Sequence, residues 1–271
     1  MTSNCNPHAA ADVALAESLT ATIAKAADAI LAIDFRRAGT RFKDDASPVT
    51  AADVASETVI LAELARIAPD VPVVSEEQAG ALPSTTTFFL VDPLDGTREF
   101  IAGRDEYTVN IALIREGAPA LGLIAVPALG LVWRGVVGAC AERLSFPPGG
   151  GEPHAIEPIR TRAWPARPLA TVSRSHFEAA SAAFLARLGP IEELVCGSAL
   201  KFGRIAEGAA DVYPRLATTC EWDVAAGHAL VTAAGGVMTA PDGAALRYGV
   251  TPGFRVPGFI AWGDPAKARQ A

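Results

Sequence analysis

The sequence has little positive charge, and this shortage excludes one class of partner. Its 271 residues contain 23 Lys and Arg against 30 Asp and Glu, a net charge of −7. Binding to a nucleic-acid polymer needs a basic surface, so this balance argues against such a partner. It does not argue against a small anionic substrate, because a bound cation inverts the local field.

Cysteine and long apolar runs are also scarce. No apolar run approaches the ~18 residues of a transmembrane helix, and Asp12 and Glu17 stand where a secretory signal is basic and then apolar. The default expectation is a cytoplasmic protein, with peripheral association at the inner face of the membrane left open. A disulfide framework is not expected at this length, and we interpret as reduced the cysteines Cys5, Cys140, Cys196 and Cys220.

The pattern of elements in the first half predicts helices followed by a sheet. Residues 10–37 and 51–67 carry apolar side chains near helical spacing. In the second helix we expect Val54, Thr58, Leu61 and Leu64 on one face. Strands and hairpins follow, and they indicate an antiparallel sheet fed by two N-terminal helices.

The amino-acid composition changes at residues 145–168, which are rich in Pro and Gly and form the best linker candidate. Strands alternate with helices after it. We therefore expect an α/β (α+β) fold in two halves. These are an N-terminal α+β half, residues 1–150, and a C-terminal α/β half, residues 151–271.

Residues 88–97 combine an apolar strand with two acids. The apolar run predicts a buried strand that stops at Asp92, because a strand interior does not tolerate Pro-Leu-Asp-Gly. Asp92 and Asp95 would then lie at the carboxyl end of a strand, where open α/β sheets place ligands. Gly96-Thr97 would open a short helix whose amides suit a phosphate. Together these features predict a metal-dependent phosphoryl site.

Further acids lie at the ends of elements. Glu76 and Glu77 follow a short strand, and Asp223 begins an apolar helix predicted from residue 222. Each has an ordinary alternative: a solvated loop for the glutamates, a helix N-terminal acid for Asp223, and a tight turn for the pair at 92 and 95. Taken together, Glu76, Asp92, Asp95 and Asp223 at the ends of elements resemble an oxygen-ligand site for Mg²⁺.

These segments resemble the signatures of the inositol monophosphatase superfamily, and they follow its order. The matching segments are Thr50-Ala-Ala-Asp53, Ser75-Glu76-Glu77, Val91-Asp92-Pro-Leu-Asp95-Gly96-Thr97 and Trp222-Asp223-Val-Ala-Ala-Gly227. Within the superfamily the chain is most similar to the 3′(2′),5′-bisphosphate nucleotidase branch. That likeness lies in Thr97-Arg-Glu-Phe-Ile101, Tyr107-Thr-Val-Asn-Ile-Ala-Leu113, Ser173-Arg-Ser-His176, Gly197-Ser-Ala-Leu-Lys201-Phe, Ala206-Glu-Gly208, Tyr213-Pro-Arg215 and Thr251-Pro-Gly-Phe-Arg-Val256.

The resemblance implies a layered α-β-α-β-α sandwich of the sugar-phosphatase type and a set of metal ligands. Glu76, Asp92 and the Leu94 carbonyl would hold one Mg²⁺ ion. Asp92, Asp95 and Asp223 would hold a second, so that Asp92 bridges the two ions. A third, weaker Mg²⁺ ion is left open.

The resemblance also implies roles in catalysis. Asp53 and Thr97 would orient and deprotonate the attacking water. The amides of Gly96 and Thr97 would hold the phosphate at the helix N-terminus. In-line attack would release inorganic phosphate without a covalent intermediate.

The second half carries the residues implied for substrate choice. Arg215 stands where the inositol-specific branch has an acid, and an arginine suits a second phosphate through a two-pronged contact. Lys201 would add a charge one turn after Ser198 on the same helix. His176 would stack on or hydrogen-bond to an adenine. The ordinary alternatives are solvated surface charges for Lys201 and Arg215, and a loop residue or cap for His176.

From this branch we expect hydrolysis of the 3′-phosphate of adenosine 3′,5′-bisphosphate, and of its sulfated form, in sulfate assimilation and clearance of its by-product. Inhibition by Li⁺ is also implied. The alternatives are an inositol-phosphate or other small sugar or amino-alcohol monophosphatase, and a non-catalytic phosphate-ligand sensor. A sensor has no need of Asp53 and Thr97. The expected partner is the small bisphosphate nucleotide, and the expected state is a monomer or homodimer.

Overall fold

The computed structural model describes residues 7–42, 48–147, 151–175 and 178–270. In these ranges the helices are α1 (Ala9–Leu31), α2 (Ala51–Ile67), α3 (Thr97–Ile101), α4 (Ala179–Arg187), α5 (Leu200–Ala206), α6 (Ala225–Ala233) and α7 (Pro265–Ala268). The strands of the first half are β1 (Arg41–Phe42), β2 (Pro48–Val49), β3 (Val73–Ser75), β4 (Thr87–Asp95), β5 (Thr108–Arg115), β6 (Ala118–Val126), β7 (Leu131–Val136), β8 (Cys140–Ser145) and β9 (Ala155–Pro158). Those of the second half are β10 (Leu169–Ser173), β11 (Glu192–Cys196), β12 (Val212–Arg215), β13 (Thr219–Cys220), β14 (Val237–Thr239), β15 (Arg255–Val256) and β16 (Phe259–Trp262).

Two sheets dominate the described part of the chain. The large sheet has the order β3-β4-β5-β6-β7-β8-β9 and is antiparallel after the parallel pair β3–β4. The small sheet has the order β11-β10-β12-β16-β14, with parallel pairs on either side of β10. The predicted antiparallel first half and alternating second half are both present.

Helices α1 and α2 cover the outer face of the large sheet. Leu19, Ile23 and Ile30 of α1 are fully buried in this layer, as the apolar spacing predicts. The face predicted for α2 was wrong in part, because Val54 is 56% exposed. The side of α2 that is buried instead carries polar residues among apolar ones: Ala52, Asp53, Ser56, Glu57, Ile60 and Leu64.

Helices α5 and α6 form the layer between the two sheets. Leu200 and Leu230 from these helices share one core with Trp133 of the large sheet and Phe259 of the small sheet. Helix α6 is mostly apolar, and six of its residues are buried: Ala225, Ala226, Gly227, Ala229, Leu230 and Val231. At Gly122 of β6 a Cβ atom would stand 2.4 Å from a backbone oxygen of α6, so only glycine permits this close packing.

The outer face of the small sheet completes the stack. Phe184 and Leu185 of α4 pack there against Trp262, whose ring lies 5.8 Å from that of Phe184. Helix α7 contacts the same strand, β16. The order of layers is therefore α-β-α-β-α, which confirms the predicted fold class.

The linker region joins the first half more closely than its composition indicates. Strand β9, which follows residue 150, pairs with β8 and extends the large sheet. The boundary proposed at residue 150 stays a prediction. No described helix is both long and apolar enough to cross a membrane.

Strand β4 does not stop at Asp92, as the sequence predicted, but continues to Asp95. The register with β5 shifts between Asp92 and Asp95, so Pro93 and Leu94 sit in a bulge. A bulge is one of the few places in a sheet that accepts proline, because the residue there makes no ladder hydrogen bond. The acids thus lie within and at the end of a bulged strand rather than beyond it.

A histidine in the central layer makes the stability of the fold depend on pH. His228 of α6 shares a hydrogen bond between its Nδ1 and the Tyr248 hydroxyl, 3.0 Å long. Burial lowers the pKa of His228 from 6.5 to about 4. The unfolded chain therefore takes up this proton first as the pH falls. The stability that neutral His228 contributes is complete above pH 6.5 and is lost as the pH falls toward 4.

We expect the free energy of unfolding to drop between pH 7 and pH 5 by up to about 2 kcal/mol through His228 alone. This figure is an upper value because the side chain keeps some accessibility. Urea unfolding of the wild type and of His228→Gln at both pH values measures this drop. The other titrating groups contribute equally to both proteins, so the difference between them isolates His228. An equal pH dependence in the two proteins would contradict the assignment.

Candidate active site

A cavity of about 270 Å³ opens where the two halves of the chain meet. The bulged end of β4 and the start of α3 form one wall, and the segment before α5 forms another. Strands β12, β13 and β15 close the remaining side. Most of the predicted site residues line this cavity: Glu76, Asp92, Leu94, Asp95, Gly96, Thr97, Ser198, Lys201, Arg215 and Asp223.

Asp53 and Thr97 are joined by a direct hydrogen bond. The Thr97 hydroxyl donates to Asp53 Oδ1 at 3.0 Å. Asp53 is only 2% exposed, and its Oδ2 accepts from the Thr50 amide at 2.8 Å and the Thr50 hydroxyl at 2.7 Å. These two bonds belong to a capping box at the start of α2, so Asp53 is held by the helix that carries it.

Burial is the main influence on the Asp53 carboxyl. It raises the pKa of Asp53, and the hydrogen bonds from Thr50 and Thr97 oppose that rise. A carboxylate with a raised pKa is a better proton acceptor than an exposed one. The pair predicted to act on water is therefore in contact and has suitable chemistry.

Hydrogen bonds from two elements hold the β4 bulge in shape. Asp92 Oδ1 accepts from the Leu94 amide at 3.0 Å. The Ser56 hydroxyl of α2 donates to the Pro93 carbonyl at 2.7 Å, and the Thr97 hydroxyl lies 3.3 Å from the Leu94 carbonyl. Leu94 thus lines the cavity beside the acids, and the role of its carbonyl as a metal ligand stays a prediction.

The acids of the cavity repel one another. Burial, followed by the charges of Glu76, Asp95 and Asp223, raises the pKa of Asp92 well above its usual value. Burial and the charge of Asp223 raise the pKa of Asp95 to about 6, against the opposing influence of Lys201 and Arg215. This mutual repulsion is what a polyvalent cation would relieve.

Each remaining acid is held by its own neighbours. Asp223 Oδ2 accepts from the Thr219 hydroxyl through a short hydrogen bond, and from the Cys220 amide at 3.2 Å. It lies in the turn before α6 rather than in the helix, which begins at Ala225. Glu76 begins a single 3-10 turn, Glu76–Gln78, that follows β3.

In the described ranges no three His, Cys, Asp or Glu side chains stand together as a ready-made metal cage. Asp92 and Asp223 make protein hydrogen bonds with the oxygens that a cation would need. The chemistry of the donor set nevertheless fits Mg²⁺, because every candidate ligand is a carboxylate or carbonyl oxygen. The assignment of individual metal ligands stays a prediction.

The turn at Gly96 packs tightly against the second half of the chain. Gly96 has φ 96° at the start of α3, a conformation that favours glycine. A Cβ atom there would lie 2.1 Å from the Ser198 hydroxyl, which itself donates to the Asp95 carbonyl at 2.9 Å. Ser198 is thus tied to the turn that is predicted to hold phosphate.

Lys201 is placed differently from the expectation. Helix α5 begins at Leu200, and Ser198 precedes it with φ 48°, so the two residues do not share a helix. Lys201 is 2% exposed, and its ammonium donates to the carbonyls of Ser198 at 2.6 Å and Cys196 at 3.3 Å. It therefore acts first on the protein, as a buried cation that lowers the pKa of Asp95.

Arg215 ends strand β12 at the cavity. Its Nε is buried and has no hydrogen-bond partner among the described residues. Burial acts to lower the pKa of Arg215, but Tyr213, Asp223 and Asp95 together outweigh it. The net effect raises the pKa of Arg215, so the side chain stays charged. A charged arginine beside the acids, with an unused N–H, suits a phosphate ligand.

The remaining sequence expectations concern His176 and two cysteines near the cavity. His176 lies outside the described residues, so its role against adenine stays a prediction. Cys220 borders the cavity, but burial raises the pKa of its thiol to about 12. Burial likewise raises the pKa of Cys196. Neither thiol is prepared for nucleophilic attack.

Several supporting residues were missed. Glu57 accepts from the Ser75 hydroxyl at 2.5 Å and from the Gln78 amide at 3.0 Å, and so holds the segment that carries Glu76. The signal for Ser56 and Glu57 was present: they lie three and four residues after Asp53, on the same face of a helix. Because the buried face of α2 was predicted from its apolar residues alone, Ser56 and Glu57 were not expected to be buried.

A second missed group joins the two halves beside the cavity. Glu106 accepts two hydrogen bonds from Arg174, at 2.9 Å and 3.0 Å, and one from the Gly197 amide at 2.9 Å. Glu99 of α3 accepts from the Ser175 hydroxyl at 2.7 Å. These pairs are far apart in the sequence, and no local pattern links them.

Comparison with known proteins gives consistent matches along most of the chain. The inositol monophosphatase family model matches residues 6–262. The 3′(2′),5′-bisphosphate nucleotidase CysQ of Salmonella typhimurium is 42% identical over 220 residues, which are 80% of this chain and 86% of that protein. The CysQ protein of Escherichia coli K12 is 41% identical with the same coverage.

Solved structures agree with these sequence matches. The crystal structure of CysQ from Bacteroides thetaiotaomicron, a bacterial member of the inositol monophosphatase family, is 34% identical with a TM-score of 0.80. The match covers 92% of this chain and 97% of that chain. An inositol monophosphatase from Zymomonas mobilis is 28% identical with a TM-score of 0.75, covering 96% of each.

With this fold, this set of acids and these relatives, the chain belongs to the inositol monophosphatase family.

Proposed function

We propose that this chain is a Mg²⁺-dependent 3′(2′),5′-bisphosphate nucleotidase. It removes the 3′-phosphate from adenosine 3′,5′-bisphosphate and from its sulfated form, as part of sulfate assimilation and by-product clearance. The observation that carries the proposal is one cavity lined by a group of acids, by Arg215 and by Thr97, whose hydroxyl bonds to the buried Asp53. The relatives named as bisphosphate nucleotidases support it.

The charges of the cavity support a substrate with two phosphates. The described lining contains five acids and four bases. With divalent cations bound to the acids, the wall becomes cationic, which favours a polyanion over a singly phosphorylated sugar. The acids are Glu76, Asp92, Asp95, Glu99 and Asp223, and the bases are Arg98, Lys201, Arg215 and Arg255.

The residues that would hold Mg²⁺ are those named by the resemblance: Glu76, Asp92, the Leu94 carbonyl, Asp95 and Asp223. When bound, Mg²⁺ supplies Lewis-acid stabilisation of charge on the phosphoryl group and on the leaving oxygen. The protein's own part is to keep these oxygens together despite their repulsion. Lys201 and Arg215 contribute to that by lowering the pKa of Asp95.

The proton transfer belongs to Asp53 and Thr97. The Thr97 hydroxyl orients the attacking water, and Asp53 accepts a proton from it. Asp53 Oδ2 stays bonded to Thr50, so Oδ1, which faces Thr97, is the oxygen available for the proton. The amides of Gly96 and Thr97 hold the phosphate for in-line attack.

A second candidate is an inositol-phosphate phosphatase, favoured by the structural likeness to the Zymomonas mobilis inositol monophosphatase. Arg215 favours the nucleotidase, because a guanidinium matches a phosphate with its paired donors but cannot accept the hydroxyl protons that a carboxylate in its place would accept. The two candidates differ in what Arg215 contacts.

A phosphate-release assay over a small panel tests the substrate class. With Mg²⁺ present, we expect kcat/KM for adenosine 3′,5′-bisphosphate to exceed that for inositol 1-phosphate by at least ~10-fold, the effect of one charge-assisted contact. Equal or faster hydrolysis of inositol 1-phosphate would refute the nucleotidase assignment.

Arg215→Glu is the matched variant for that assay. It should reduce hydrolysis of the bisphosphate nucleotide by ~100-fold while sparing a generic monophosphate, because only the former offers a second phosphate. An unchanged rate on the nucleotide would show that Arg215 does not contact it.

Asp53→Asn tests the assignment of the proton acceptor. We expect kcat to fall by ~10²–10⁴-fold, the usual contribution of general base catalysis, with Mg²⁺-dependent nucleotide binding retained. Turnover and isothermal titration calorimetry give the two quantities, and Asp242→Asn, in an exposed turn, is the control. A sensor without turnover would show little difference between the variants.

Metal binding should depend on pH through the acids of the cavity. Carboxylates must be deprotonated to bind Mg²⁺, and the pKa of Asp95 is raised to about 6. Affinity for Mg²⁺ should therefore rise by about tenfold from pH 5 to pH 7. Calorimetric titration with Mg²⁺ at pH 5, 6 and 7 measures this, and a constant affinity would contradict it.

A further inference from the structure

Arg255 lines the same cavity as the acids, although it lies 40 residues after Arg215 in the sequence. It belongs to the two-stranded sheet of β13 and β15, in which it pairs with Cys220. This small sheet also carries Thr219, which holds Asp223. The backbone therefore places Arg255 beside the turn that supplies one of the candidate metal ligands.

The residue before Arg255 is a firm anchor. Phe254 is 1% exposed and packs against Trp222, with ring centroids 5.8 Å apart. Its carbonyl accepts from the Glu221 amide at 2.8 Å. Phe254 has φ 52°, which is costly for a bulky residue, and such strain tends to lie at functional sites. The backbone at Arg255 is thus held in place from within the core.

The side chain of Arg255, in contrast, is exposed and lacks an acidic partner. Some exposed arginines of the chain have such a partner, as Arg66 has in Glu63 and Arg174 in Glu106. Among the described residues Arg255 has no carboxylate within 4.0 Å. Its described hydrogen bond runs from Nη1 to Cys220 Sγ, 3.4 Å long. Most of its five N–H donors are therefore available to a ligand.

Arg215 alone is poorly suited to bind a whole phosphate. It is largely buried, and the charges of Asp95 and Asp223 act on it directly. A phosphate dianion offers three terminal oxygens, more than one arginine fork can occupy. A second guanidinium at the accessible side of the cavity would complete the site.

We propose that Arg255 is a specificity-determining residue that binds, together with Arg215, the phosphate of the nucleotide that is not hydrolysed. This inference rests on the proposed function. It assigns the retained 5′-phosphate to the side of the cavity formed by β12 and β15, opposite the Asp53–Thr97 pair on α2 and α3.

Steady-state kinetics on two substrates test the proposal. Adenosine 3′,5′-bisphosphate carries the retained phosphate, and adenosine 3′-monophosphate lacks it. Arg255→Gln should lower kcat/KM for the bisphosphate by ~10–100-fold, chiefly through KM, and leave the monophosphate within about twofold of wild type. Activity on the monophosphate also shows that the variant is folded.

Two further variants sharpen the assay. Arg255→Lys keeps the charge but loses the two-pronged contact, so it should recover part of the lost preference. Arg247→Gln is the matched control, since Arg247 is exposed and does not line the cavity. Its hydrogen bond within the described ranges goes to the Glu116 carbonyl. It should behave as wild type on both substrates.

The outcomes separate this inference from the proposed function. If wild type prefers the bisphosphate and Arg255→Gln keeps that preference, the role of Arg255 is refuted and the nucleotidase stands. If Arg255→Gln slows both substrates equally, Arg255 serves the base or the general shape of the site, and the inference is again wrong. If wild type itself has no preference for the bisphosphate, both proposals fail.

Discussion

The repulsion among buried carboxylates at the end of β4 is the constraint on which the rest of this structure depends. Asp92 and Asp95 lie where solvent is largely excluded, and each is acted on by the charge of Asp223. Left alone, such a group would destabilise the fold or remain protonated. Hydrogen bonds from backbone amides and from the hydroxyls of Thr108 and Thr219 stabilise the carboxylates. The buried ammonium of Lys201 adds a positive charge close to Asp95. The remaining repulsion between these carboxylates still destabilises the fold, and a bound divalent cation would remove it. Such destabilising clusters of charge are characteristic of functional sites.

The same constraint explains why the site needs both halves of the chain. The first half supplies the acids on β4 and the hydrogen-bonded pair Asp53–Thr97 on α2 and α3. The second half supplies Asp223 and the cations. Ser198 closes on Gly96 from one side, and Glu106 holds Arg174 and Gly197 from the other. The described cavity lining is mainly acidic in the first half and mainly basic in the second, so opposite charges face one another only where the two halves meet.

Much of the fold and most of the site were predictable because their signals are local. Helical spacing located α1, the Thr50 capping box marked the start of α2, and the run at residues 88–97 marked the acids. The failures have physical reasons. Proline at 93 indicated the end of a strand, but a bulge held by Ser56 lets β4 continue. Lys201 looked like a free cation because a sequence does not show that two carbonyls already occupy it. Glu106 was missed because its partners, Arg174 and Gly197, are remote along the chain.

The close contact at Gly122 has a consequence for how this protein tolerates change. Because α6 rests directly on β6 there, the thickness of the central layer is set by the absence of a side chain rather than by the size of one. Asp223 precedes α6, while Asp92 and Asp95 belong to the large sheet beneath it. The helix therefore sets the distance between Asp223 and the acids of the large sheet, Asp92 and Asp95. A bulkier residue in this buried contact would widen the gap between them, so that a packing defect well away from the cavity would be felt as weaker affinity for the cation.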